Sequence, residues 1–136
     1  MTLADTGPLV ALLDAVDPYH AVCVQMMARL PIGPLTTTWP CFTEAMHLLN
    51  RAGGFRYQSS LWSLRSTNRI VLIDLTPAEI DRMADLMDCY QNVPMDLADA
   101  SLVVTLERRP HTCLFTFDHD FRVYCLADGT AIDVVP

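Results

Sequence analysis

The feature that most constrains this chain is an alternation of short apolar segments, each too brief for a helix, with longer stretches that carry helix start signals. Leu3 to Asp5 reads as a strand, and Thr6-Gly7-Pro8 supplies a cap and a first-turn proline for a helix through Leu13. Asp17-Pro18 starts a second helix reaching about Leu30, and Leu35 to Thr38 is the next strand. After Pro40 a helix runs to about Arg51 and breaks at Gly53-Gly54, and another spans about Tyr57 to Ser66. Ile70 to Asp74 is a third strand. Thr76-Pro-Ala-Glu79 has the form of a capping box and opens a helix to about Tyr90. Pro94 resets the chain. From Asp96 to about Arg108 the apolar Ala100, Val103, Val104 and Leu106 fit a largely buried helix, and Leu114 to Phe117 and Ala131 to Val135 complete the strands. Strands separated by helices predict an α/β fold of three α/β/α layers around a mostly parallel sheet of about five strands. In such sheets the ligand site lies beyond the carboxyl ends of the strands, where the topology switches.

Composition agrees with a packed body. With 136 residues, 51% hydrophobic and 18% charged, the chain is expected to form one domain over residues 1–136 with a core large enough to need no staples. Cys23, Cys41, Cys89, Cys113 and Cys125 are odd in number and widely spaced, with no Cys-x-x-Cys pair, which predicts reduced thiols. The opening residues carry neither a basic region nor a cleavage site, and no apolar run is long enough for a bilayer, so a cytoplasmic protein without a membrane partner is expected. Net charge is −7 and every basic side chain is arginine, which excludes a generic basic surface for nucleic acid. Only Arg51, Arg56, Arg65 and Arg69, in a stretch free of acids, offer a local contact for RNA or a protein partner, and a solvated basic helix face explains them equally well.

The acids are placed more tellingly. Asp5 ends the first strand, Glu44 lies in the helix after the second, Asp99 lies in the first turn of the late helix, and Asp118 follows the fourth strand. Four converging carboxylates with no base beside them in sequence repel one another and raise each other's pKa unless a divalent cation neutralises them. Oxygen donors without His or Cys at metal spacing favour Mg²⁺ or Mn²⁺ over Zn²⁺, and a hydrated Mg²⁺ suits phosphodiester hydrolysis. Each acid also has a plainer use: Asp5 as a helix cap, Glu44 as a solvated helix residue, Asp96 or Asp99 as the cap of the late helix, Asp118 and Asp120 as turn residues. His20, His47, His111 and His119 form no pair at ligand spacing and receive no role. Trp39 and Trp62, with Phe55 and Tyr57, are able to stack on bases, but core packing is the commoner use of such rings.

In order, Leu-Ala-Asp5-Thr-Gly-Pro-Leu, Thr43-Glu44, Met-Asp96-Leu-Ala-Asp99-Ala-Ser-Leu-Val and Thr-Phe-Asp118-His-Asp120-Phe resemble the acidic motifs of PIN-domain proteins, and the likeness spans nearly the whole chain. The resemblance implies a Mg²⁺- or Mn²⁺-dependent endoribonuclease of the VapC toxin type, with Asp5, Glu44, Asp99 and Asp118 as its catalytic, metal-holding acids. Thr6, Asp96, Thr116 and Asp120 are then supporting residues. It further implies a homodimer and an antitoxin of VapB type lying along the helices near residues 44 to 66, an arginine of which approaches the acids. A fold of this type kept only for protein binding is one rival. A phosphatase or dehalogenase with Asp5 as nucleophile is another, weakened by the absence of an Asp-x-Asp after the first strand and of any lysine.

Overall fold

The computed structural model describes residues 1–136. Its sheet contains β1 (Thr2–Ala4), β2 (Leu35–Thr38), β3 (Ile70–Ile73), β4 (Cys113–Phe115) and β5 (Val134–Val135), all parallel, in the order β3-β2-β1-β4-β5. Between them run α1 (Thr6–Leu13), α2 (His20–Met27), α3 (Trp39–Gly53), α4 (Phe55–Ser66), α5 (Pro77–Cys89) and α6 (Leu97–Arg108). The fold is the expected α/β one. The strand order explains where a site can form: the chain moves outward from β1 to β2 to β3, then returns through α5 and α6 to lay β4 on the other side of β1. The reversal opens a crevice at the carboxyl ends of β1 and β4.

Alternation of side chains across the pleat divides the core. Leu3 and Leu114 face one side, packing with Leu102, Val103, Met83 and Leu86 of α5 and α6, while the next residues along, Ala4 and Phe115, join Leu9, Phe42, Ala45, Leu49 and Leu61 on the other. The two helical layers cover both faces, as a parallel sheet requires. Helix α6 is buried from Ala98 through Leu106. Its small residues Ala98, Ala100 and Ser101 let it approach the end of β2, where the Ser101 and Thr38 hydroxyls bond at 2.6 Å. The hydroxyls of Thr36 and Thr37 donate to the carbonyls of Thr2 and Ala4, so these buried polar residues of β2 are satisfied.

Several boundaries differ from the expected ones, each for a local reason. Strand β1 stops at Ala4 because Asp5 is the N-cap of α1. Helix α3 begins at Trp39, with Pro40 in its first turn, where a missing N–H costs nothing. Helix α2 is only His20–Met27, shorter than the span from Asp17 to Leu30. Helix α4 starts at Phe55, directly after Gly54, whose φ of 70° lets the chain turn between α3 and α4. At the C-terminal end only Val134 and Val135 join the sheet, while Ala131 makes an isolated antiparallel bridge with Cys125. The capping box of α5 forms as read, Glu79 N donating to Thr76 Oγ1 and Thr76 N to Glu79 Oε2.

Candidate active site

Asp5, Glu44, Asp96, Asp99 and Asp118 line one cavity of about 410 Å³ together with Thr6, Gly7, Pro94 and Phe117. It lies at the carboxyl ends of β1 and β4, where the strand order reverses. All four acids expected to converge do so, and Asp96 joins them. No arginine or histidine lines the cavity.

The caps that hold these acids are what aim them. Asp5 Oδ1 accepts from Thr6 N at 2.6 Å and Oδ2 from Thr116 Oγ1 at 2.7 Å. Asp96 and Asp99 form a capping box at the start of α6: Asp96 Oδ1 accepts from Asp99 N at 2.8 Å and Asp99 Oδ2 from Asp96 N at 3.1 Å. Asp118 Oδ1 accepts from Asp120 N at 2.9 Å and caps the short 3₁₀ turn His119–Arg122. Glu44 Oε2 accepts from Thr6 Oγ1 at 2.7 Å. A carboxylate that caps an element here also lines the cavity, so capping does not turn these acids away from it. Glu44 Oε1, Asp96 Oδ2, Asp99 Oδ1 and Asp118 Oδ2 receive no protein donor, so each of these acids holds the fold with one oxygen and offers the other.

Thr6 and Thr116 tie the acids together. The Thr6 hydroxyl joins the start of α1 to Glu44 on α3. The Thr116 hydroxyl donates to Asp5 and accepts from Asp118 N at 3.0 Å, linking the acid after β1 to the one after β4. Asp120 contributes only its backbone N–H, and its carboxylate lies outside the cavity. Arg51, Arg56, Arg65 and Arg69 are exposed on or beside α3 and α4, and none lines the acidic cavity. Arg56 instead lies over the Tyr57 ring, 5.6 Å from its centroid.

Crowding of like charge away from water is visible in the proton affinities. Burial raises Asp5 from 3.8 to about 6, and the charges of Asp118 and Glu44 add to that, against hydrogen bonds from Thr116 and Thr6 that favour the ionised form. Burial likewise lifts Asp99 above the usual carboxylate range, with Asp96, Asp5 and Asp118 pushing the same way against the backbone bond at Asp96. Burial and the nearby Asp5 charge push the Cys41 thiol up to about 12. The Asp5 and Asp99 carboxylates are relieved by a proton or by a cation. A hard divalent cation fits the donor set, because only oxygen ligands face the cavity. No three His, Cys, Asp or Glu side chains come close enough to enclose an ion by themselves.

A parallel sheet with this reversal and an acid at each strand end facing the crevice defines a class of acidic-cleft α/β domains. The PIN domain pattern matches residues 2–126, and the chain belongs to the PIN-domain family. Solved structures share the fold. The VapC20 toxin of Mycobacterium tuberculosis, described as cleaving the sarcin-ricin loop, superposes with a TM-score of 0.83 at 20% identity, covering 90% of this chain and 94% of that one. A toxin-antitoxin complex from Klebsiella pneumoniae gives 0.67 at 19% identity over 100% and 97%. VapBC2 from Rickettsia felis, bound to a DNA fragment from its promoter, gives 0.62 at 11% over 98% and 96%. No curated protein sequence matches the chain.

Proposed function

We propose that this protein is a Mg²⁺- or Mn²⁺-dependent endoribonuclease, the toxin of a VapBC-type toxin-antitoxin pair. The observation that carries the reading is the single cavity into which five carboxylates face with no cationic side chain among them. Membership of the PIN-domain family and the fold shared with VapC20 and two toxin-antitoxin complexes support it.

Asp5, Glu44, Asp99 and Asp118 are the residues that would hold the ion. Once bound, a divalent cation supplies Lewis acidity for phosphodiester hydrolysis and neutralises charge on the scissile phosphate. The chain's own part is positioning. Thr116 fixes Asp5 against Asp118, Thr6 fixes Glu44, and the reciprocal bonds at the start of α6 fix Asp96 and Asp99. Glu44 is only partly buried and its Oε1 is free of protein donors, so it is the acid placed to orient an attacking water. An acid-lined pocket is also a receptor for a guanidinium, which gives a VapB-type antitoxin a direct means of inhibition by occupying the cation's place. The active form is a homodimer in this reading.

The test is cleavage of a mixed pool of structured RNAs by the purified protein in Mg²⁺ or Mn²⁺ against EDTA, with Asp99→Asn alongside. Discrete cation-dependent cuts lost in the variant are expected. Absence of cuts by a folded wild-type protein across tRNA, rRNA and mRNA pools refutes the assignment and favours a protein-binding role.

A further inference from the structure

Beside the acidic cavity, and sharing Glu44 and Asp96 with it, lies an open groove of about 580 Å³ between the first turns of α3 and α6. Its volume falls within the roughly 300–1,000 Å³ of small-molecule sites. Its apolar lining is Trp39, Pro40, Leu97 and Ala98, and His47 also lines it. Trp39 is 44% exposed, as Trp62 is at 45%, and its ring meets Phe42 at 81° with centroids 5.8 Å apart. The other tryptophan, Trp62, packs on Phe42 as well but lines neither the groove nor the acidic cavity. Phe55 is exposed on α4 and lines neither.

We infer that this groove is a nucleobase subsite: Trp39 stacks on an unpaired base of the nucleotide flanking the scissile phosphate, and so helps to select single-stranded or splayed RNA. The inference rests on the nuclease reading above. Three observations favour a base as the occupant. The groove shares Glu44 and Asp96 with the acid-lined cavity, so a base in it lies beside a phosphate of the same nucleotide held at the acids. Glu44 and Asp96 at the junction repel phosphate, which leaves the uncharged base as the part of a nucleotide that enters. A flat, partly open indole packed edge-on with Phe42 matches a flat partner, and the His47 imidazole in the lining offers a donor or an acceptor to a base edge.

The test uses the full chain carrying Trp62→Phe, so that Trp39 is the sole indole. Short single-stranded oligoribonucleotides are added with Ca²⁺ in place of Mg²⁺, and an abasic oligomer of equal length is the control. Quenching of Trp39 emission by the base-bearing oligomers and not by the abasic one is expected. Trp39→Ala is expected to weaken oligomer binding and kcat/KM for cleavage roughly 10- to 100-fold, the range one base–aromatic stack supplies, while Trp39→Phe keeps most of both. The shift of melting temperature by Mg²⁺ stays as in wild type in both variants, which separates a stacking role from damage to the acids. Wild-type cleavage that persists unchanged in a folded Trp39→Ala, with no quenching by any base-bearing oligomer, overturns the subsite alone. Quenching by an antitoxin segment but not by RNA overturns it in favour of protein docking. A wild-type protein that neither cleaves nor binds RNA overturns the nuclease reading, and the subsite with it.

Discussion

Asp5→Asn is expected to make the cation-free protein more stable at pH 8 while abolishing its activity. Asp5 is 8% exposed, and burial raises its carboxyl from 3.8 to about 6. In the unfolded chain the group ionises near its ordinary value, so between about pH 4 and about pH 6 the folded protein holds a proton that the unfolded chain has lost. Stability therefore falls as pH rises through that window, and above it the whole penalty is present. A shift of about two pK units at about 1.4 kcal/mol each is worth about 3 kcal/mol. Asparagine cannot ionise, fits the same space and caps a helix as well as aspartate, so it keeps the bond from Thr6 N while removing the buried charge. It also takes one negative charge from beside Asp99, which acts in the same direction.

The assay is thermal or urea denaturation of wild type and Asp5→Asn in EDTA from pH 4 to 8. The variant is expected to gain about 3 kcal/mol over wild type at pH 8, about 10 °C in a domain of this size, and little at pH 4. Millimolar Mg²⁺ should close the gap by stabilising wild type more than the variant. If Asp5→Asn is no more stable at pH 8 than wild type, or if its advantage is the same at pH 4, the argument that Asp5 is buried charged against its environment is wrong.

Other substitutions read different parts of the structure. Thr116→Val removes the hydroxyl that bonds Asp5 and Asp118 N; a loss of about 1–3 kcal/mol in urea denaturation is expected, with weaker Mg²⁺ binding by calorimetry. All five thiols should be titratable with a thiol reagent in denaturant without prior reduction, whereas in the native protein the exposed Cys89 reacts first. Buried Cys41, its thiol pushed up to about 12, stays unmodified at pH 8 by mass spectrometry. Leu102→Ala empties a fully buried position on α6 and is expected to cost about 2–5 kcal/mol by chemical denaturation.

The order of elements was legible in the chain because each carries its own punctuation. Thr76-Pro-Ala-Glu79 and Asp96 ahead of Ala100, Val103 and Val104 start helices by local chemistry that needs no tertiary partner, and at α1 the cap is Asp5 rather than Thr6, whose hydroxyl goes to Glu44 instead. The acids were legible for a related reason: an acid directly after an apolar strand, or in the first turn of a buried helix, stands at an element end, and the ends of parallel strands are where sites form. Boundaries were less legible, because strand length is set by pairing. Ala131 to Val135 reads as a strand, yet only Val134 and Val135 find β4 beside them.

Tertiary structure decided the rest. That Asp5 and Asp118, distant in sequence, share the Thr116 hydroxyl follows from β4 lying beside β1, and no local pattern states the strand order β3-β2-β1-β4-β5. That the basic stretch stays clear of the acids was likewise beyond the sequence: Arg51, Arg56 and Arg65 are exposed on α3 and α4, Arg69 just beyond them, and none lines the cavity. The two tryptophans are equivalent as letters, and only the packing of α3 against the start of α6 sets Trp39 at the acids' edge and leaves Trp62 away from it. Local chemistry chose the elements and their caps, because a cap needs only its own few residues. The meeting of five carboxylates in one cavity was decided by long-range packing, because burying the two faces of the sheet is what brings those chain ends together.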